Sequence, residues 1–96
     1  MNQLNYVLCN DVLDGLRDSE ATVVVMTHSG KPEFVRASRN GLYRNGSRTY
    51  LCVGLVGNHA ESETALIQFP EEADSGANRA WVPLSDLVTV PEKVSA

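Results

Sequence analysis

The sequence predicts a small, mainly β domain whose antiparallel strands close, or nearly close, into a barrel. The chain has 96 residues, which is enough for one domain with a single core. Apolar stretches rich in β-branched residues recur between turn residues, at the spacing expected of a small barrel or sandwich. Its last third reads as strand, turn, strand, short helical turn and strand. We therefore expect five or six strands.

The amino-terminal segment gives two conflicting signals. Between Leu4 and Leu16 the apolar residues are spaced by three and four, which favours some helix within residues 4–17. The run Tyr6-Val7-Leu8-Cys9 is equally consistent with the start of a strand. In the predicted single domain, residues 1–20 pack on the barrel, residues 21–90 form it, and residues 91–96 are frayed.

Residues 22–27 and 33–38 are predicted strands, and residues 49–56 carry the strongest strand pattern. Apolar side chains occupy both faces of that last stretch. We expect either burial on both sides, or one side facing the core and the other facing the amino-terminal segment or a partner. Gly54 predicts sharp curvature. Two Asn-Gly pairs follow closely at 40–41 and 45–46, so we expect one major hairpin turn and one bulge or wide loop.

The remaining elements are strands at residues 63–69, 79–82 and 88–90, an exposed loop at 70–78 and a helical turn at 84–87. Trp81-Val82-Pro83, three further positions and Leu87-Val88-Thr89-Val90 are similar to the ending of SH3-like barrels. The resemblance covers about residues 49–90 and implies a barrel. It implies no polyproline ligand, because the paired tryptophans and the tyrosine-rich segment of signalling SH3 domains are missing.

Charge is unevenly distributed along the chain. The net charge is −4, which argues against nucleic acid as a general partner. Residues 31–48 nevertheless hold five bases and one acid, whereas residues 58–78 hold five acids and no base. These segments are either solvated turns or docking surfaces, including the two halves of a homodimer contact.

Reactive side chains form no recognisable constellation. Cys9 and Cys52 lie among apolar neighbours and predict two buried, reduced thiols. His28 and His59 lack a third ligand or an acid pair nearby, so we expect no metal and no cofactor. A deep pocket holding either histidine beside a carboxylate would favour a small enzyme or enzyme subunit instead.

The aromatic residues have two competing roles. Trp81 is expected in the core, packed across strands against Phe69. Tyr43 and Tyr50, if exposed beside Arg44, would add stacking surfaces to phosphate-binding charges. The predicted binding residues are Lys31, Arg36, Arg39, Tyr43, Arg44, Arg48, Tyr50 and Trp81.

The function that follows is a non-enzymatic, cytoplasmic SH3-like module that binds another protein or a second copy of itself. The amino terminus shows neither a secretory signal nor an apolar span, so no membrane partner is expected. RNA or single-stranded DNA binding through segment 31–48 is the first alternative. A small enzyme subunit is the second.

Overall fold

A computed structural model describes residues 3–91 of the chain. Strands account for 62% of it and helical turns for 7%, which confirms the predicted mainly β class. The nine strands are β1 (Gln3–Cys9), β2 (Asp11–Asp14), β3 (Glu20–Met26), β4 (Pro32–Ser38), β5 (Leu42–Asn45), β6 (Arg48–His59), β7 (Thr64–Gln68), β8 (Arg79–Pro83) and β9 (Leu87–Pro91). Short 3₁₀ turns span Arg39–Gly41 and Leu84–Asp86.

The strands form two antiparallel sheets. The large sheet has the order β8-β7-β6-β1-β9, with β5 also paired to β6, and the small sheet has the order β2-β3-β4. Within residues 3–91 they do not close into the predicted barrel, and they number nine rather than five or six. Two backbone hydrogen bonds of 2.7 Å link the sheets at their corners, from Asn10 N–H to the Val24 carbonyl and from His28 N–H to the Trp81 carbonyl.

The predicted helix within residues 4–17 is wrong, because this segment forms β1 and β2. β1 lies between β6 and β9, where Val7 pairs with Leu51 on one side and with Leu87 on the other. Two neighbouring strands satisfy the backbone hydrogen-bonding groups of β1 while Val7 and Cys9 enter the core. The apparent helical spacing arises because the chain changes sheets at Asn10 and restarts its alternation there.

One of the two Asn-Gly pairs between residues 38 and 48 closes the predicted hairpin, whereas the other lies in a 3₁₀ turn and not in the predicted bulge or wide loop. Asn45 pairs with Arg48, so β5 and β6 form a tight hairpin whose turn contains Gly46 at φ 63°. Such a positive φ is readily adopted by glycine, and Asn-Gly is a favoured hairpin sequence. The other pair, Asn40-Gly41, lies in a 3₁₀ turn and closes no hairpin.

The second half of β6 turns away from β1 to pair with β7. Gly54 lies at this change of partner, and the register shifts between Leu55 and Gly57, as the predicted curvature requires. The predicted strands at 63–69, 79–82 and 88–90 are β7, β8 and β9, and the helical turn near 84–87 is also present.

The core lies between the two sheets. Its six largest fully buried side chains come from β1, β3, β4, β7 and β8, and each contributes roughly 1.5–3 kcal/mol through burial. They are Val7, Val23, Val25, Val35, Ile67 and Val82. The frayed tail predicted for residues 91–96 falls almost entirely outside the described residues. In the described part, no helix is long and apolar enough to span a bilayer.

Candidate functional site

The five basic residues of segment 31–48 do not form one patch. Arg39 donates to Asp14 Oδ1 at 2.9 Å and to the Asp18 carbonyl at 3.0 Å, so it joins β2 to the turn after β4. Arg44 and Arg48 line a depression of about 530 Å³ at the β5–β6 hairpin, and Arg44 also lines a smaller one together with Arg39. Of the other two, Lys31 lies in a cleft beside the β3–β4 turn. Arg36 lies on β4 of the small sheet and lines a pocket together with Glu71.

Trp81 lies outside the core, contrary to the prediction. Its side chain is 41% exposed, whereas Phe69 is 5% exposed and belongs to the core cluster. β8 alternates strictly, so Ala80 and Val82 point inward while Arg79 and Trp81 point outward. The cross-strand pairing of Trp81 with Phe69 is therefore excluded.

The outward side of the large sheet carries a cluster of tyrosines. The ring centroids of Tyr6 and Tyr43 lie 5.2 Å apart, and those of Tyr43 and Tyr50 lie 5.9 Å apart. Tyr50 is only 6% exposed but is not part of the core cluster, so its neighbours on the outward side bury it. The residues of this surface, which we name the tyrosine face, are Leu4, Tyr6, Leu8, Tyr43, Tyr50, Cys52, Val88 and Val90.

The tyrosine face is apolar and carries no formal charge at neutral pH. Burial raises the pKa of Tyr6, and the nearby Cys52 and Tyr43 raise it further, so the phenol stays protonated. Charged residues lie at one edge of it, where Arg44 and Arg48 line a depression together with Leu8, and Asp86 is close enough to Arg48 for the two charges to interact. Burial raises the pKa of Asp86, while the Arg48 guanidinium acts in the opposite direction.

A cleft of about 450 Å³ opens where β3 ends, between the β3–β4 turn and β8. It brings both histidines of the chain together with two bases, an acid, four hydroxyls and an indole. Its lining residues are Thr27, His28, Ser29, Lys31, Glu33, His59, Ser62, Thr64, Arg79, Ala80 and Trp81. We name this site the histidine cleft.

The β3–β4 turn supplies one wall of the histidine cleft. Thr27 N–H donates to the Lys31 carbonyl at 3.0 Å, and Gly30 N–H donates to the Thr27 carbonyl at 2.9 Å. Gly30 has φ 87°, so glycine fits the position that closes this tight turn. Thr27 Oγ1 also donates to the Lys31 carbonyl at 2.7 Å and accepts from Lys31 N–H. These bonds fix the backbone from which His28 and Ser29 project.

The β6–β7 hairpin supplies the second wall. The His59 and Trp81 rings meet edge to face, with centroids 5.0 Å apart. The Ser62 and Thr64 hydroxyls lie 2.9 Å apart within hydrogen-bonding distance. Glu63, at φ 54°, is the non-glycine residue with positive φ in the described part of the chain, and it closes this turn. The hairpin thus holds His59 against the indole.

Glu33 closes the inner end of the histidine cleft. Its side chain is 6% exposed, and its Oε1 accepts a 2.6 Å hydrogen bond from Ser75 Oγ. The cleft therefore meets the condition that would favour an enzyme, since both histidines and a carboxylate line it. Among residues 3–91, however, no hydrogen bond joins an imidazole to a carboxylate, and no group of three or more His, Cys, Asp or Glu could hold a metal.

The cysteines are free thiols in different environments. Cys9 is buried, as predicted, and burial raises its pKa to about 12. Cys52 is half-buried in the tyrosine face, so the prediction that both thiols are buried is wrong for this residue.

Comparison of the chain with known protein families, curated proteins and solved structures found no match. The class defined by fold and surface is therefore a two-sheet β domain with an aromatic outer face and a polar cleft. The histidine cleft could not be predicted from the sequence, because His28 and His59 are 31 positions apart. Each contacts Trp81 of β8, His28 through its backbone N–H and His59 through its ring. The available signal was their position at the ends of apolar strands: His28 follows β3 closely, and His59 is the last residue of β6.

Proposed function

We propose that this domain is a non-enzymatic module that binds another protein chain through the tyrosine face. The observation that carries the proposal is the row of tilted ring contacts from Tyr6 through Tyr43 to Tyr50 on the side of the large sheet opposite the core. Tyrosine is enriched among residues that dominate the free energy of protein association, since it buries much apolar area and keeps a polar hydroxyl.

The shape and chemistry of the face support association. β1, β5, β6 and β9 align its side chains on one side of a continuous ladder, and the central ones are apolar or aromatic. The uncharged centre and the Arg48 and Asp86 charges beside it match the usual anatomy of an interface, which has an apolar core and a polar rim. Both faces of β6 are therefore used: Leu51 and Val53 fill the core, and on the other side the buried Tyr50 packs against the Tyr43 ring. Cys52, which is half-buried, lies on that same outward side.

The alternative of RNA or single-stranded DNA binding has weaker support. The bases of segment 31–48 lie in three separate places, because Lys31 and Arg36 are apart from the three arginines near the β5–β6 hairpin. One of those three, Arg39, is already paired with Asp14. Tyr50 is nearly inaccessible, so it offers no ring on which a base can stack.

The SH3-like resemblance remains part of the proposal for architecture. Its support is the path from β8 through the Leu84–Asp86 turn into β9. We interpret the domain as an open variant of an SH3-like barrel. In this variant the backbone hydrogen bonds of Asn10 and His28 join the two sheets, and within residues 3–91 no continuous strand pairing closes a barrel. A superfold of this kind carries no ligand class with it.

Site-specific photo-crosslinking tests the protein-binding proposal. A benzoylphenylalanine placed at Tyr43 should form one discrete covalent adduct in cells that make the protein, and its mass identifies a second copy or a different chain. The matched control carries the same group at Phe34, an aromatic residue 38% exposed on the small sheet. Adducts of equal yield at both positions, or none at Tyr43, would contradict the proposal.

A further inference from the structure

The histidine cleft has the size and lining of a small-ligand site. Its volume of about 450 Å³ lies within the range of roughly 300–1,000 Å³ typical of ligand pockets. The chain as a whole is acidic, with net charge −4, yet the cleft contains Lys31 and Arg79 against Glu33 alone. Ser75 donates to that carboxylate, which stabilises its charge within the fold. The cleft is therefore a local basic site on an acidic protein.

An apolar surface lies beside these charges. Trp81 is 41% exposed although its neighbours Ala80 and Val82 are in the core. Its indole is fixed by the edge-to-face contact with His59. A planar ring packed on an indole gains apolar burial and aromatic contact together. Hydroxyls of Thr27, Ser29, Ser62 and Thr64 also line the cleft. They are already hydrogen-bonded within the protein, since Thr27 donates to the Lys31 carbonyl and the Ser62 and Thr64 hydroxyls lie 2.9 Å apart, so the charged side chains are left to bind an anion.

We infer that the histidine cleft binds a planar organic anion. The ring of the ligand packs on Trp81, and its carboxylate or phosphate group accepts hydrogen bonds from Lys31 and Arg79. Neither a ring alone nor an anion alone uses both features, so the site selects molecules that combine them. This site is separate from the tyrosine face and does not depend on the protein-binding proposal.

Trp81 provides a built-in reporter, because it is the only tryptophan of the chain. The probes are phenyl phosphate and benzoate, with benzyl alcohol as the uncharged ring and inorganic phosphate as the anion without a ring. We expect at least one of the two ring-bearing anions to change the Trp81 emission saturably, with a dissociation constant of about 1 mM or tighter at low salt. The two controls should bind at least tenfold more weakly. Which anion binds more tightly distinguishes a phosphate from a carboxylate site.

Charge-neutralising variants locate the site. Arg79→Gln should weaken binding of the better probe at least tenfold, and Lys31→Gln should do the same. Arg44→Gln removes the same charge at the β5–β6 hairpin and should change the dissociation constant less than twofold. Circular dichroism confirms that each variant is folded. Equal losses in Arg79→Gln and Arg44→Gln, or the absence of saturable binding by both ring-bearing anions, would overturn the inference.

Discussion

Ser75 Oγ donates a 2.6 Å hydrogen bond to Glu33 Oε1, joining two residues 42 positions apart. Glu33 lies on β4 and points inward, as Val35 and Ala37 do, while Ser75 belongs to the exposed 70–78 loop. A second contact, from Asp74 N–H to the Phe34 carbonyl at 2.9 Å, holds the same loop along β4. The predicted exposed loop is therefore fixed to the small sheet at the point where the histidine cleft begins.

The Ser75→Ala variant should lower the free energy of unfolding by about 1–3 kcal/mol, because it leaves a buried carboxylate without its hydroxyl donor. Denaturant unfolding measures the change. Ser38→Ala is the control, since the Ser38 side chain makes no capping hydrogen bond to the turn after β4. If both variants are equally stable, the Glu33–Ser75 bond does not contribute to folding.

Glu63→Gly should stabilise the protein by about 1 kcal/mol or less. Glu63 has φ 54°, a conformation that costs an L-residue roughly 1–2 kcal/mol and glycine little; the extra freedom of an unfolded glycine offsets part of the gain. Glu61→Gly, in the same turn and with the same change of charge, should instead destabilise. Thermal unfolding of the pair gives opposite shifts in Tm. Shifts of the same sign would show that backbone strain at Glu63 is absent.

Gly15→Ala should destabilise the fold by about 1–3 kcal/mol, because a Cβ at this position would lie 2.9 Å from the backbone carbon and oxygen of Glu20. Gly57→Ala is a matched substitution with no atom within 4 Å of the added Cβ, and its stability should stay within about 0.5 kcal/mol of the parent. Chemical denaturation compares them. A Gly57→Ala loss as large as that of Gly15→Ala would mean that loss of glycine alone, without a clash, explains the effect.

Burial of Cys9 predicts a loss of stability at alkaline pH. Its pKa rises from 9.0 to about 12 on folding, so the folded state holds the proton while the unfolded chain releases it. Below pH 9 the thiol is protonated in both states and burial of Cys9 stabilises the fold in full. The free energy of unfolding then falls as the pH rises from 9 toward 12. Cys9→Ala should flatten this part of the stability profile. An equally steep alkaline decline in Cys9→Ala would assign the pH dependence to other groups.

The strands that sequence patterns predicted are those whose alternation is local. β3, β4 and β6–β9 each present a run of β-branched or alternating residues, and turn residues bound them. For β1 the sequence left a strand open but favoured a helix, because the conformation of β1 is fixed by β6 and β9, which come from 40 or more positions later. Two short strands meeting at Asn10 produce the same apolar spacing as one helix.

The sites were harder to predict than the strands. The sequence analysis singled out Tyr43 and Tyr50 but expected them to lie beside arginines. In the structure, the Tyr43 ring contacts Tyr50 on one side and Tyr6 on the other. Tyr6 belongs to the segment for which a helix was favoured over a strand, so its contact with Tyr43 was not predicted. Trp81 was predicted in the core because of its large apolar ring. In β8, however, the inward positions are taken by Ala80 and Val82, so Trp81 faces outward. Strand alternation outweighed side-chain hydrophobicity there.

The most direct measurement of the protein-binding function is the affinity of the crosslinked partner for three forms of the domain, determined by isothermal titration calorimetry. Tyr43→Ser should weaken binding at least tenfold relative to the parent, because it removes the ring that contacts both Tyr6 and Tyr50. Phe34→Ser, on the small sheet, should change the dissociation constant less than twofold. Full affinity in Tyr43→Ser, or a larger loss in Phe34→Ser, would contradict binding through the tyrosine face.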